Sequence, residues 1–187
     1  MKKNKRTIHI VVMGGNIVGA KGADGTEYQD FNQRQLEQIL RQLAGAQEMD
    51  TNIVCLKNSD QITEEDRRVL AVQIEGESVA MDATYILVLH GTLTAKETQE
   101  YLHAQAARFP RALVVIATSF GTLWTQDGEG TVTASDALCA LASGVTSLTQ
   151  SDRTGVHILA NADLWAPGTV QLNADQNAWE PVEAAAA

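Results

Sequence analysis

The chain has 187 residues, 44% of them hydrophobic, with 14 Lys+Arg against 23 Asp+Glu and a net charge of −9. That length supplies one domain with a full core, and the acidic balance excludes the basic face that nucleic acid binding needs. The apolar runs are strand-sized, too short for a membrane-spanning helix.

The basic tip Lys2, Lys3, Lys5 and Arg6 reads as a solvated terminus. It does not read as the start of a signal peptide, because Thr7 to Met13 carries His9 and passes straight into a strand pattern. Ile8 to Val12 is that first strand, and it ends in Gly14-Gly15-Asn16. From Asn16 to Gln29 the chain is rich in glycine and small polar residues, with Tyr28 near the far end. A strand-to-helix connection usually takes about 2–6 residues, and longer ones tend to be lids or disordered segments. Phe31, Leu36, Ile39, Leu40 and Leu43 then recur at helical spacing, and Gly45 marks the stop. The second strand, Asn52 to Leu56, runs into Asn58-Ser59-Asp60. The next helix opens at Thr63. Thr63 and Asp66 form a capping-box-like start, and Glu64, Glu65 and Asp66 lie at the positive end of the dipole.

The third strand, Tyr85 to Leu89, ends abruptly at His90-Gly91-Thr92. The spacing after it predicts a helix from Ala95 to Phe109, ended by Pro110. Strand four is Ala112 to Ala117, followed by Thr118-Ser119 and a glycine-rich stretch from Gly121 to Gly130. A helix from Ala134 to Ser143 carries ordinary cap chemistry in Ser135 and Asp136. Strand five, Val156 to Ala160, leads into Asn161-Ala162-Asp163. Leu164 to Glu180 reads as irregular or as a short hairpin, and 182–187 as a disordered tail. The alternation predicts an α/β fold: one doubly wound, flavodoxin-like parallel sheet forming a single domain over 1–187. Ligands of such sheets bind beyond the carboxyl ends of the strands. Gly14-Gly15-Asn16, Ser59 and Thr92 are therefore predicted to share one rim.

The usual motifs are missing. GxGxxG needs a glycine where this chain has Asn16, and there is no Walker lysine and no GxSxG. His90 has two readings, a general base or a structural residue bonded to backbone, and no carboxylate neighbours it in sequence. His9, His103 and His157 lack ligand spacing, and Cys55 and Cys139 read as buried free thiols without a CxxC. No metal and no cofactor are expected, and a soluble, cytoplasmic protein is.

Taken together, the strand ends resemble the L-asparaginase family of threonine-dependent amidohydrolases. The family's Thr-Gly-Gly-Thr-Ile stands here as Met13-Gly14-Gly15-Asn16-Ile17, and its His-Gly-Thr-Asp-Thr as His90-Gly91-Thr92-Leu93-Thr94. Asn58-Ser59-Asp60 is similar to its substrate-binding serine turn, and Tyr28 lies where it keeps a catalytic lid tyrosine. Gly155 to Asn161 resembles the strand before its catalytic lysine. The resemblance covers nearly the whole chain but only the amino-terminal domain of the two-domain enzymes. It implies a compact relative that stops after that domain.

The departures fall on the chemistry. Asn16 takes the nucleophile's position, and an amide has no hydroxyl to add to a carbonyl carbon. Leu93 replaces the aspartate that holds the substrate's α-amino group, and Leu172 falls where the lysine assisting the threonine at Thr92 would be. No lysine lies beyond Lys96. The resemblance then implies substrate-binding positions at Gly15, Asn16, Ser59, Asp60, Gly91 and Leu93, in a degenerate site. Such a site would bind a small amino-acid-like molecule, or a partner, without efficient amide hydrolysis. The alternative is an active amidohydrolase using Thr92 as nucleophile and Tyr28 as base. A homo-oligomer that shields the rim is expected, with neither nucleic acid nor membrane as partner.

Overall fold

The computed structural model describes residues 7–22, 27–28, 32–45, 47–79, 84–126 and 135–182. The basic tip, Ala23 to Thr26 and Gln29 of the expected lid, Phe31, residues 127–130 of the glycine-rich stretch, Ala134 and 183–187 lie outside these residues. In chain order the strands and helices are β1 (Thr7–Gly14), β2 (Ala20–Gly22), β3 (Glu27–Tyr28), α1 (Gln33–Ala44), β4 (Glu48–Lys57), α2 (Glu64–Val79), β5 (Thr84–Leu89) and α3 (Ala95–Ala104). They continue as β6 (Ala112–Ala117), β7 (Trp124–Gln126), α4 (Asp136–Gln150), β8 (Gly155–Ala160), β9 (Asp163–Trp165), β10 (Val170–Asn173) and β11 (Ala178–Pro181).

The main sheet has the order β4-β1-β5-β6-β8-β9. Its pairs are parallel except β8 with β9, which closes one edge antiparallel. Strands β5 and β6 and, apart from His9, β1 read as apolar runs because helices cover both of their faces. On one face, Leu36 and Leu40 of α1 and Leu141, Val145 and Leu148 of α4 pack on Ile8, Ile10 and Val115. On the other, Leu70 and Ile74 of α2 and Leu102 of α3 pack on Val11, Ile86 and Val114. The chain is thus the doubly wound α/β domain that the alternation predicts. The strand order reverses between β1 and β5, which opens a crevice at their carboxyl ends.

Several boundaries differ from the sequence reading, each for a local reason. Helix α4 does not end at Ser143 but runs to Gln150. A Cβ at Gly144 would lie 2.7 Å from Leu87 Cδ1, so glycine within the helix lets α4 approach β5. Helix α3 ends at Ala104, and a short 3₁₀ turn, Ala106–Arg108, leads to Pro110. Strand β4 begins at Glu48 rather than Asn52, with alternating exposed charged residues. The segment expected to be irregular or a hairpin forms β9 and the β10–β11 hairpin. Cys139 is exposed on α4 rather than buried. Cys55 is half-buried with its thiol 3.1 Å from the Met13 carbonyl, and burial raises its pKa to about 11. No helix among the described residues is long and apolar enough to cross a membrane.

Candidate functional site

A cavity of about 360 Å³ opens at the crevice between β1 and β5. Its floor is built from three loops that touch backbone to backbone. Gly15 has φ +82° and would place a Cβ 2.3 Å from Gly91 Cα. Gly91 in turn would place one 2.6 Å from Ser59 Cβ. Close approach of this kind needs glycine at both positions. The Ser59 hydroxyl accepts from the Thr94 amide at 2.8 Å, and the Thr94 hydroxyl donates to the Ser59 carbonyl at 2.6 Å. The serine turn after β4 and the start of α3 are thereby locked together.

The polar groups of the rim are held by the loop after β6. Thr92 Oγ1 donates to the Ser119 carbonyl at 2.8 Å, and Asn16 Nδ2 donates to the Phe120 carbonyl at 2.8 Å. That loop is anchored by Asp136 at the start of α4, whose carboxylate accepts from the Phe120 and Gly121 amides, both at 2.8 Å. Ser135 caps the same helix, accepting from the Ala137 amide and donating to the Thr122 carbonyl. On the opposite side, the expected capping box is present. The Asp66 carboxylate accepts from the Thr63 amide at 2.8 Å, and the Thr63 hydroxyl accepts from the Asp66 amide at 3.3 Å.

His90 belongs to the structural reading. It is fully buried, with Nδ1 2.7 Å from the Gly91 carbonyl and Nε2 2.8 Å from Thr98 Oγ1. A carbonyl only accepts, so Nδ1 carries the proton and Nε2 accepts from the threonine hydroxyl. Thr98 Oγ1 in turn accepts from Arg67 Nε at 3.0 Å. Burial lowers the His90 pKa to about 4. Both ring nitrogens are engaged away from the cavity, and the ring fixes the Gly91 carbonyl from below.

Of the positions singled out in the sequence, Gly15, Asn16, Ser59, Asp60, Gly91, Thr92 and Leu93 all line the cavity. Leu93 is exposed at the mouth, 59% accessible. Tyr28 lies in β3, paired with Ala20 of β2, which joins the rim loop through β7. Leu172 is not in the lining; it sits on β10 opposite Trp179 and packs against the apolar cluster beneath. Ser119, Phe120 and Asn177 complete the wall and were not singled out. Only Thr118-Ser119, following an apolar strand like the other rim turns, hinted at them. Asp60 is the one ionisable side chain among the described lining residues. Beside the site, a second cavity of about 330 Å³ lies under the hairpin and shares Phe120 and Asn177 with the first.

The family model described as Asparaginase, N-terminal matches residues 7–178. The chain belongs to the asparaginase family. Among solved structures, the crystal structure described as "Probable Cytoplasmic L-asparaginase" from Campylobacter jejuni is similar to it, with a TM-score of 0.76 at 18% identity. That match covers 95% of this chain and 54% of the other, so the chain spans about half the length of that asparaginase. At this identity the likeness is one of fold. No curated protein sequence matches the chain significantly.

Proposed function

We propose that this asparaginase-family domain has a degenerate site that binds a small amino-acid-like ligand without efficient amide hydrolysis. The observation that carries this reading is Asn16. It occupies the position of the family's nucleophile, offers an amide instead of a hydroxyl, and is tied through Nδ2 to the Phe120 carbonyl. Leu93, where the family it resembles places an aspartate, gives a substrate ammonium no counter-charge. Asp60 is the carboxylate left at the mouth to receive one. An active enzyme built on Thr92 has less support. Its hydroxyl proton is directed at a backbone carbonyl, and the nearby imidazole of His90 is turned elsewhere. A hydroxyl without a general base is a weak nucleophile. A cytoplasmic location accords with the free Cys55 and Cys139.

Two measurements on the purified chain test this. Ammonia release from asparagine and glutamine is expected to stay at background. Calorimetry with asparagine and aspartate is expected to show binding that Asp60→Asn weakens. Asn16→Thr alone should remain inert, because the amine anchor and base are still absent. Turnover of asparagine that Thr92→Val abolishes would overturn the reading and make Thr92 the nucleophile.

A further inference from the structure

At the other end of the sheet, His9, Asp50 and Glu77 form a cluster that the asparaginase-like cavity does not use. His9 pairs with Asp50 across β1 and β4, and Glu77 reaches them from the last turn of α2. Six residues of strand separate His9 from the rim at Gly15, roughly 20 Å at 3.3 Å per residue. His9 is 4% exposed, yet neither ring nitrogen has a hydrogen-bond partner. Its Nδ1 nevertheless lies 2.8 Å from Asp50 Oδ1 and 3.2 Å from Glu77 Oε2. These contacts are close, but neither has the angles of a hydrogen bond. The bonding direction of Nδ1 therefore points at neither oxygen, and two carboxylates this close to it call for a positive charge at this corner, a ring proton or a metal ion.

We propose that His9 Nδ1, Asp50 Oδ1 and Glu77 Oε2 bind a divalent transition-metal ion of the Zn²⁺ class. Three observations converge on a metal. The ligand atoms all lie within 4.8 Å of one another. With metal–ligand distances of about 2.0–2.2 Å, donors of a low-coordinate ion stand about 3.4 Å apart, so the separations of 3.2 and 2.8 Å need only a few tenths of an ångström of opening to hold one. One imidazole nitrogen with two carboxylates is a zinc-type donor set, whereas calcium and magnesium prefer oxygen alone. Glu77 also stands in the last turn of α2, where no basic residue offsets the negative end of the helix dipole. Asp50 is half-exposed, which leaves the ion an entry path and a position for solvent. A bound ion would clip β1, β4 and α2 together at the amino-terminal edge of the sheet.

The test uses the full chain, stripped with chelator and dialysed. Titration with Zn²⁺ by calorimetry is expected to give one equivalent bound, and saturation to raise the melting temperature. Titration with Co²⁺ is expected to give visible absorption bands of a low-coordinate site with a nitrogen donor. Asp50→Asn and Glu77→Gln, both at accessible side chains, are expected to stay folded and each to weaken the ion at least about tenfold. His9→Gln should abolish the Co²⁺ bands, and His103→Gln and His157→Gln should leave them intact. No stoichiometric binding by the unmodified chain would overturn the proposal, and so would binding that survives Asp50→Asn and Glu77→Gln or follows His103 or His157. An imidazolium signal from His9 that persists at saturating metal would also overturn it, showing that a proton holds the cluster.

Discussion

At Gly15 the backbone has φ +82° and ψ −179°, a region that side-chain-bearing residues scarcely enter, and the Gly91 Cα lies where a Cβ would go. Gly15→Ala is therefore expected to cost about 3 kcal/mol or more, through strain and through forcing two rim loops apart. Urea denaturation reads this directly; a midpoint unchanged from the parent would refute the close contact. His90 makes the second residue-scale prediction. Its folded pKa is lowered by burial from 6.5 to about 4. Between those values the unfolded chain takes up a proton at this position and the native chain does not, so acid favours unfolding. The stabilisation is complete above about pH 6.5 and is lost as pH falls toward 4. It amounts to about 3 kcal/mol at 1.36 kcal/mol per pKa unit. Comparing urea midpoints at neutral pH and near the lower limit should show this loss in the parent, and a shallower one in His90→Gln.

Among the elements, the buried parallel strands were legible because burial on both faces writes an uninterrupted apolar run, as in Tyr85–Leu89 and Ala112–Ala117. The ends of elements were less so. Gly144 has the composition of a helix stop, and only its contact with Leu87 reveals that it serves packing. Gly15, Asn16, Ser59 and Thr92 could be assembled from sequence because each follows a strand in the same sheet. Ser119 and Phe120 escaped because they act through backbone carbonyls, which every residue type has. The metal-type cluster escaped for a different reason: strand register, not sequence spacing, brings His9 opposite Asp50. The element that ties the site to the scaffold is the start of α4. Asp136→Ala removes the acceptor for two rim amides, and about 2 kcal/mol of stability should go with it. The same change should broaden amide signals from Ser119 to Thr122 in solution NMR; sharp, unshifted signals there would count against the anchor.

For the whole molecule, β4 is one edge strand of the main sheet among the described residues, and it carries Ile53 and Leu56 at 44% and 38% accessibility. Val69 and Val72 of α2, the helix that packs beside this strand, are also exposed. An open edge strand with apolar side chains is a template for pairing with another chain. Self-association through β4 is the expected outcome, as a homo-oligomer in solution. Light scattering should find it in the parent and a monomer in Ile53→Lys; a parent that is monomeric throughout the micromolar range would argue against it.

Phe120 and Asn177 belong to the walls of two cavities at once. One is the site at the crevice, and the other lies beneath the β10–β11 hairpin, which is fastened by Trp179 to Thr118 and by Asn161 to the Trp179 carbonyl. A partition shared by two compartments cannot yield to one without altering the other. Whatever occupies the space under the hairpin and moves Phe120 or Asn177 changes the affinity of the crevice, and by linkage the crevice's occupant changes the affinity beneath by the same factor. Occupancy of one volume is therefore expected to be felt in the other, through Phe120 and Asn177.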